Sequence, residues 1–208
     1  DLRLSRGLGD VYKRQIMGSA YLNNWIKDES KVIDLGCGDG SLLRDLMNTK
    51  SVNGFGVEND LEKIEKCIEN NVPVIQHDLD DGLKDFKHLG FDAAIMASSI
   101  QCLRNPKSAL IDLLDVATTC VVSIPNFGYW KIRLLMMAGR MPVSSRLPSK
   151  WYETKNIHLC TIKDFEELCA ELNLKILEKI YLNDHGRPLK KLKRGNLLAA
   201  EGVYLIGA

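Results

Sequence analysis

A chain of 208 residues with 45% hydrophobic content has enough apolar surface to bury one sizeable core and little left for a second. Its 28 basic and 27 acidic side chains leave a formal charge of only +1, which gives no general pull toward nucleic acid or anionic membrane, and no apolar run reaches the roughly 20 residues of a membrane span. Six cysteines lie far apart with no Cys-x-x-Cys pair, so neither a metal site nor a disulfide framework is indicated; with no secretory signal pattern, the expected location is cytoplasmic.

In chain order, residues 1–15 end in Val-Tyr-Lys-Arg-Gln and read as a non-native leader, and residues 16–208 as a single domain. Tyr21, Leu22, Trp25 and Ile26 predict a leading amphipathic helix. Val32 to Leu35 is an apolar strand of the kind buried on both faces of a parallel sheet, and it runs into Gly36, Gly38 and Gly40. Glycines there allow a tight turn and close approach of a ligand to backbone. A helix start from about Asp39 to Leu43 would present free N–H groups to a carboxylate or phosphate. Leu42, Leu43, Leu46 and Met47 form the inner face of that helix. A second strand, Val52 to Val57, ends at Glu58, and Leu61, Ile64 and Ile68 mark the helix after it. A third strand runs from Val72 into Asp78 and Leu79.

Phe91 to Ala97 is a fourth strand, Asn105 and Pro106 a cap and first turn, and Leu110, Leu113, Leu114 and Ala117 one helix face. Cys120 to Ile124 is a fifth strand. Beyond an insertion, Phe165, Leu168, Cys169 and Leu172 mark a helix, and Lys175 to Leu182 and Leu197 to Ile206 two last strands. The alternation predicts an α/β three-layer sandwich with a seven-stranded, mostly parallel, Rossmann-like sheet closed by a C-terminal antiparallel hairpin. The basic run Arg187 to Arg194 falls in that hairpin and reads as a solvated, edge-protecting loop rather than an RNA contact.

The glycine turn is not a dinucleotide fingerprint, because the sixth position is Ser41, and no Gly-Lys-Ser/Thr follows as a P-loop requires. Gly36, Gly38 and Gly40 behind Asp34 resemble the first motif of class I S-adenosylmethionine-dependent methyltransferases. That resemblance implies S-adenosylmethionine or S-adenosylhomocysteine as cofactor, with Asp34 toward the methionine amine and Gly36, Cys37, Gly38 and Gly40 around it. It further implies Glu58 on the ribose hydroxyls with Asn59 beside it, Asp78 on the adenine amine, Leu79 against the ring and Ala97 at the fourth strand end. Singly, a helix cap, a surface acid and an Asx turn account for Asp34, Glu58 and Asp78. Three successive strand ends in one sheet favour a shared ligand.

The insertion, residues 125–160, is too long for a simple connection. It holds five of the fourteen aromatics (Phe127, Tyr129, Trp130, Trp151 and Tyr152), three of the six methionines, and six cations against Glu153 alone, a balance of +5. Such a segment serves either as a lid over an acceptor pocket or as a protein-binding surface. Ile-Pro-Asn at 124–126 is not the Asn/Asp-Pro-Pro-aromatic signature for an amino acceptor. His158 reads as a structural histidine, and Cys102 and Cys160 have no adjacent base. No catalytic residue is assigned.

Gly-Cys-Gly-Asp-Gly at 36–40, Gly-Phe-Gly-Val-Glu at 54–58, Val-Ile-Gln-His-Asp-Leu-Asp at 74–80, Ile-Pro-Asn-Phe-Gly-Tyr-Trp at 124–130, Gly-Arg-Met-Pro-Val at 139–143 and Asn-Ile-His-Leu-Cys-Thr-Ile at 156–162 together resemble the MetW family of methionine biosynthesis proteins. Asn59 departs from the apolar residue that relatives often carry. The resemblance implies a methyltransferase-fold partner of homoserine O-acyltransferase, docking through 125–160 in the homoserine acylation step. The alternative is an autonomous small-molecule methyltransferase. No membrane, nucleic acid or metal partner is expected.

Overall fold

The computed structural model describes residues 24–207 apart from 145 and 191. The expected leader at 1–15 and most of the expected leading helix lie outside these; Asn24 to Ile26, with Trp25, form turns. The elements are β1 (Lys31–Leu35), α1 (Ser41–Lys50), β2 (Asn53–Glu58), α2 (Leu61–Glu69), β3 (Val74–Gln76), β4 (Phe91–Ala97), α3 (Pro106–Val116), β5 (Ala117–Pro125), α4 (Trp130–Met137), α5 (Ile162–Glu171), β6 (Lys175–Leu182), α6 (Gly195–Leu198) and β7 (Glu201–Gly207). The strands form one sheet in the order β3-β2-β1-β4-β5-β7-β6. All pairs are parallel except β7, which is antiparallel to β5 and β6, so the α/β Rossmann-like expectation and the antiparallel closing pair both hold.

Period-two alternation sends successive side chains of the central strands to opposite faces, and both faces are dry. Ile33, Leu35, Ala94, Met96, Val122 and Ile124 pack with Leu110 and Leu113 of α3 and Phe165 of α5. Val32, Ala93, Ile95 and Val121 pack on the other side with Leu43 and Leu46 of α1 and Cys67 of α2. Helix starts follow local chemistry. Asn105 Oδ1 accepts from Ser108 N at 3.2 Å ahead of Pro106, and Thr161 and Asp164 form a reciprocal capping box before α5.

Three sequence boundaries are corrected. Ala117 opens β5 instead of closing α3, because the chain turns extended to pair Ala117 with Phe91. The third strand stops at Gln76; Asp78 instead caps a 3-10 turn, its side chain accepting from Asp80 N. Leu197 and Leu198 belong to α6, and the last strand begins at Glu201, where pairing with Pro125 becomes available.

Candidate functional site

The carboxyl ends of β1, β2 and β3 converge, as expected for a ligand site in a parallel sheet. Gly36 N and Cys37 N both donate to Val57 O, at 2.8 and 3.1 Å, which stitches the end of β1 to that of β2. Gly36 has φ +79°, and a Cβ there would stand 2.8 Å from Ser99 Cβ, so no other residue fits without displacing the wall behind it. Glu58 is buried at the turn: Gly38 N donates to Oε2 at 3.0 Å, Asn59 N and Asp60 N to Oε1 at 3.0 and 3.1 Å, and Lys63 Nζ stands 3.5 Å from Oε2. Asn59 Nδ2 donates to Asp78 Oδ2 at 3.2 Å, joining the second and third strand ends. Together they border a cavity of about 480 Å³.

Of the expected site residues, Gly36, Glu58, Asn59, Asp78 and Leu79 line this cavity. Gly38 shapes the turn, and Gly40 is the N-cap of α1, where Asp39 Oδ1 accepts from Ser41 N and so occupies part of the expected N–H pole. Cys37 does not line this cavity. Its buried thiol packs under the turn, 3.7 Å from Cys67 Sγ, in space left by Gly56, whose Cβ would come 2.5 Å from Cys37 Sγ. Burial drives the Cys37 pKa far upward, with the Asp34 charge adding to it. Ala97 packs against the core cluster that includes α1, and the next residues, Ser98 and Ser99, line the cavity.

Asp34 lies beneath the turn, 2% exposed, with no hydrogen-bond partner for Oδ1 among the described residues. Burial first, then the Glu58 charge, pushes its pKa up to about 7. A desolvated, under-bonded carboxylate at a glycine turn suits a cationic group, and Glu58 and Asp78 suit hydroxyl or amine donors. This residue set fits an amino-acid nucleoside such as S-adenosylmethionine. Among the described residues no group of three or more His, Cys, Asp and Glu is placed to hold a metal ion, and no helix is long and apolar enough to cross a membrane.

The other cavity wall carried no sequence signal. Ser98, Ser99, Cys102 and Leu103 come from the segment after β4, and Lys155 arrives from the insertion to meet Asp60 Oδ2 at 2.8 Å across the mouth. The insertion is built on Asn126, which is 0% exposed. Its Nδ2 donates to Asn196 O and Ala199 O at 3.0 and 2.7 Å, and its Oδ1 accepts from Gly128 N and Ile162 N at 2.9 and 3.2 Å. One side chain thereby ties both ends of the insertion to the β6–β7 connection. His158 is exposed, with Nε2 3.3 Å from Arg104 O and its backbone N donating to Gln101 O, consistent with a structural part. Half of the insertion's six cations are paired within the fold: Lys131 with Asp184 at 2.5 Å, Arg146 with Glu201 at 2.8 Å, and Lys155 with Asp60 as above.

Solved methyltransferase structures share the fold. A S-adenosylmethionine-dependent methyltransferase from Archaeoglobus fulgidus superposes with TM-score 0.67 at 14% identity, covering 94% of each chain. Magnesium protoporphyrin IX methyltransferase from Synechocystis PCC 6803, solved with bound S-adenosylhomocysteine, gives 0.64 at 13% identity over 95% of this chain and 84% of that one. At the sequence level, the chain is 30% identical over 185 residues to the bifunctional methionine biosynthesis protein MetXA/MetW of Rhodopirellula baltica. The match covers 84% of this chain and 30% of that protein, so the chain spans about a third of the relative's length. The family model described as methionine biosynthesis protein MetW matches residues 17–206. With that match across nearly the whole described fold, the chain belongs to the MetW family of methionine biosynthesis proteins.

Proposed function

We propose that this chain is an accessory subunit of homoserine O-acyltransferase that binds S-adenosylmethionine or S-adenosylhomocysteine in the β1–β3 cavity and docks through residues 125–160. The observation that carries this reading is the state of the insertion. It is folded and pinned at both ends, yet it exposes large apolar side chains: Met137 is 83% exposed, Trp151 70% and Leu134 54%. Such side chains on an otherwise satisfied surface suit a partner protein. The Rhodopirellula relative, whose name joins MetXA and MetW in one chain, supports the identity of that partner.

The cavity walls favour ligand binding over methyl transfer. His77 Nε2 is engaged with Gly82 O at 2.8 Å, and burial raises the Cys102 pKa against the lowering effect of Lys63 and Lys155. Neither group is set up as a general base. The test is homoserine acylation by the cognate acyltransferase with and without an equimolar amount of this chain. A several-fold rise is expected, lost when Leu134→Glu and Met137→Glu are combined. An unchanged rate together with no co-elution of the two proteins would overturn the reading.

Ligand binding should also depend on pH. Asp34 has a folded-state pKa of about 7 against 3.8 for the free group, so the unliganded fold holds this proton between those values, and this group's contribution to stability falls as pH rises through that window. A ligand ammonium selects the ionised carboxylate. Affinity for S-adenosylhomocysteine is expected to fall about tenfold per unit below pH 7 and to level off above it, as titration calorimetry from pH 5.5 to 8.5 would show. A flat profile would exclude Asp34 as the ammonium acceptor.

A further inference from the structure

We propose that residues 150–158 form a strap that reports occupancy of the adenosine cavity to an exposed aromatic pair on the docking surface. The inference rests on the ligand reading above and deepens it by naming the element that would make partner binding sensitive to that ligand. One end of the strap is fixed to the cavity wall. Ile157 N and His158 N both donate to Gln101 O at 2.9 Å, and Cys102 Sγ donates to Asn156 Oδ1 at 3.3 Å. Gln101 is buried and Cys102 lines the cavity. Next along the strap, Lys155 closes the mouth on Asp60, beside the Glu58 and Asn59 that face a ribose in this reading.

The other end is a compact turn. Glu153 N and Thr154 N both donate to Lys150 O at 3.0 Å, and the turn presents Trp151 and Tyr152 edge to face with ring centroids 5.5 Å apart. These rings are 70% and 60% exposed, and neither lines the cavity. A ligand in the cavity therefore touches Lys155 and not the rings. The turn is internally bonded and directly precedes Lys155 in the chain, so a backbone shift at Lys155 on ligand entry carries the aromatic pair with it. A ligand alters partner affinity only through such a difference between two arrangements of the docking surface.

The test is fluorine NMR on the full chain labelled with 5-fluorotryptophan, which gives one resonance for each of Trp25, Trp130 and Trp151, the last assigned by its loss in Trp151→Phe. At saturating S-adenosylhomocysteine the Trp151 resonance is expected to shift while Trp25 stays in place. In Lys155→Met, also at saturation, the Trp151 shift should be lost. A Trp151 resonance unmoved in the native chain, with binding established by calorimetry, would overturn the strap and leave the ligand reading standing. An equal shift in Lys155→Met would also overturn it. Failure of S-adenosylhomocysteine and S-adenosylmethionine to bind at all would overturn both.

Discussion

At pH 8, Asp34→Asn is expected to weaken S-adenosylhomocysteine binding by about thirtyfold or more while the unliganded protein stays folded with an equal or higher Tm. The Asp34 carboxylate is 2% exposed, has an oxygen without a hydrogen bond among the described residues and stands near the charge of Glu58. Above its pKa of about 7 it is a buried anion that the fold itself leaves poorly compensated. A ligand ammonium would supply the missing partner. Truncating one member of a buried charge pair costs about 2–5 kcal/mol of binding, and each 1.4 kcal/mol or so is a factor of ten. Asparagine keeps the shape and removes the charge, so the affinity loss should appear without a matching loss of fold, and the pH dependence of binding should vanish with it. Calorimetric affinity within threefold of the native chain would show that Asp34 only packs beneath the turn.

The second large effect is structural. Asn126→Ala is expected to lower stability by about 3–5 kcal/mol, because it strands two carbonyls and two N–H groups in a dry region where each orphaned group costs about 1 kcal/mol or more. Its four bonds reach Gly128, Ile162, Asn196 and Ala199, so the insertion and the β6–β7 connection lose their common anchor together. For a domain of this size the loss corresponds to a fall in Tm of roughly 6–20 °C. Asn126→Asp should also destabilise, since it replaces two donors with a buried acceptor. A thermal melt of Asn126→Ala within about 3 °C of the native one would mean that water replaces the lost bonds.

What the sequence could show by itself was set by how far each signal reaches along the chain. The β1 strand, the glycine turn and Glu58 were legible because strand burial, positive φ and a strand-end acid are each written within a few residues. So were the Asn105-Pro106 cap and the Lys175–Leu182 strand, whose patterns are local. For Cys37 the turn motif fixes the backbone and says nothing of where the side chain packs; Gly56, nineteen positions on, decides that. The far wall of the cavity was invisible for the opposite reason. Lys155 meets Asp60 across 95 positions, and Asn126 meets Ala199 across 73. Likewise, the +5 balance of the insertion counted six cations, and folding pairs three of them, Lys131, Arg146 and Lys155, with acids from distant elements. The sequence by itself determined the parallel sheet and the strand ends at which the candidate site lies. Only the tertiary structure decided what walls that cavity and which insertion side chains stay exposed, because those outcomes depend on contacts between segments that no local pattern encodes.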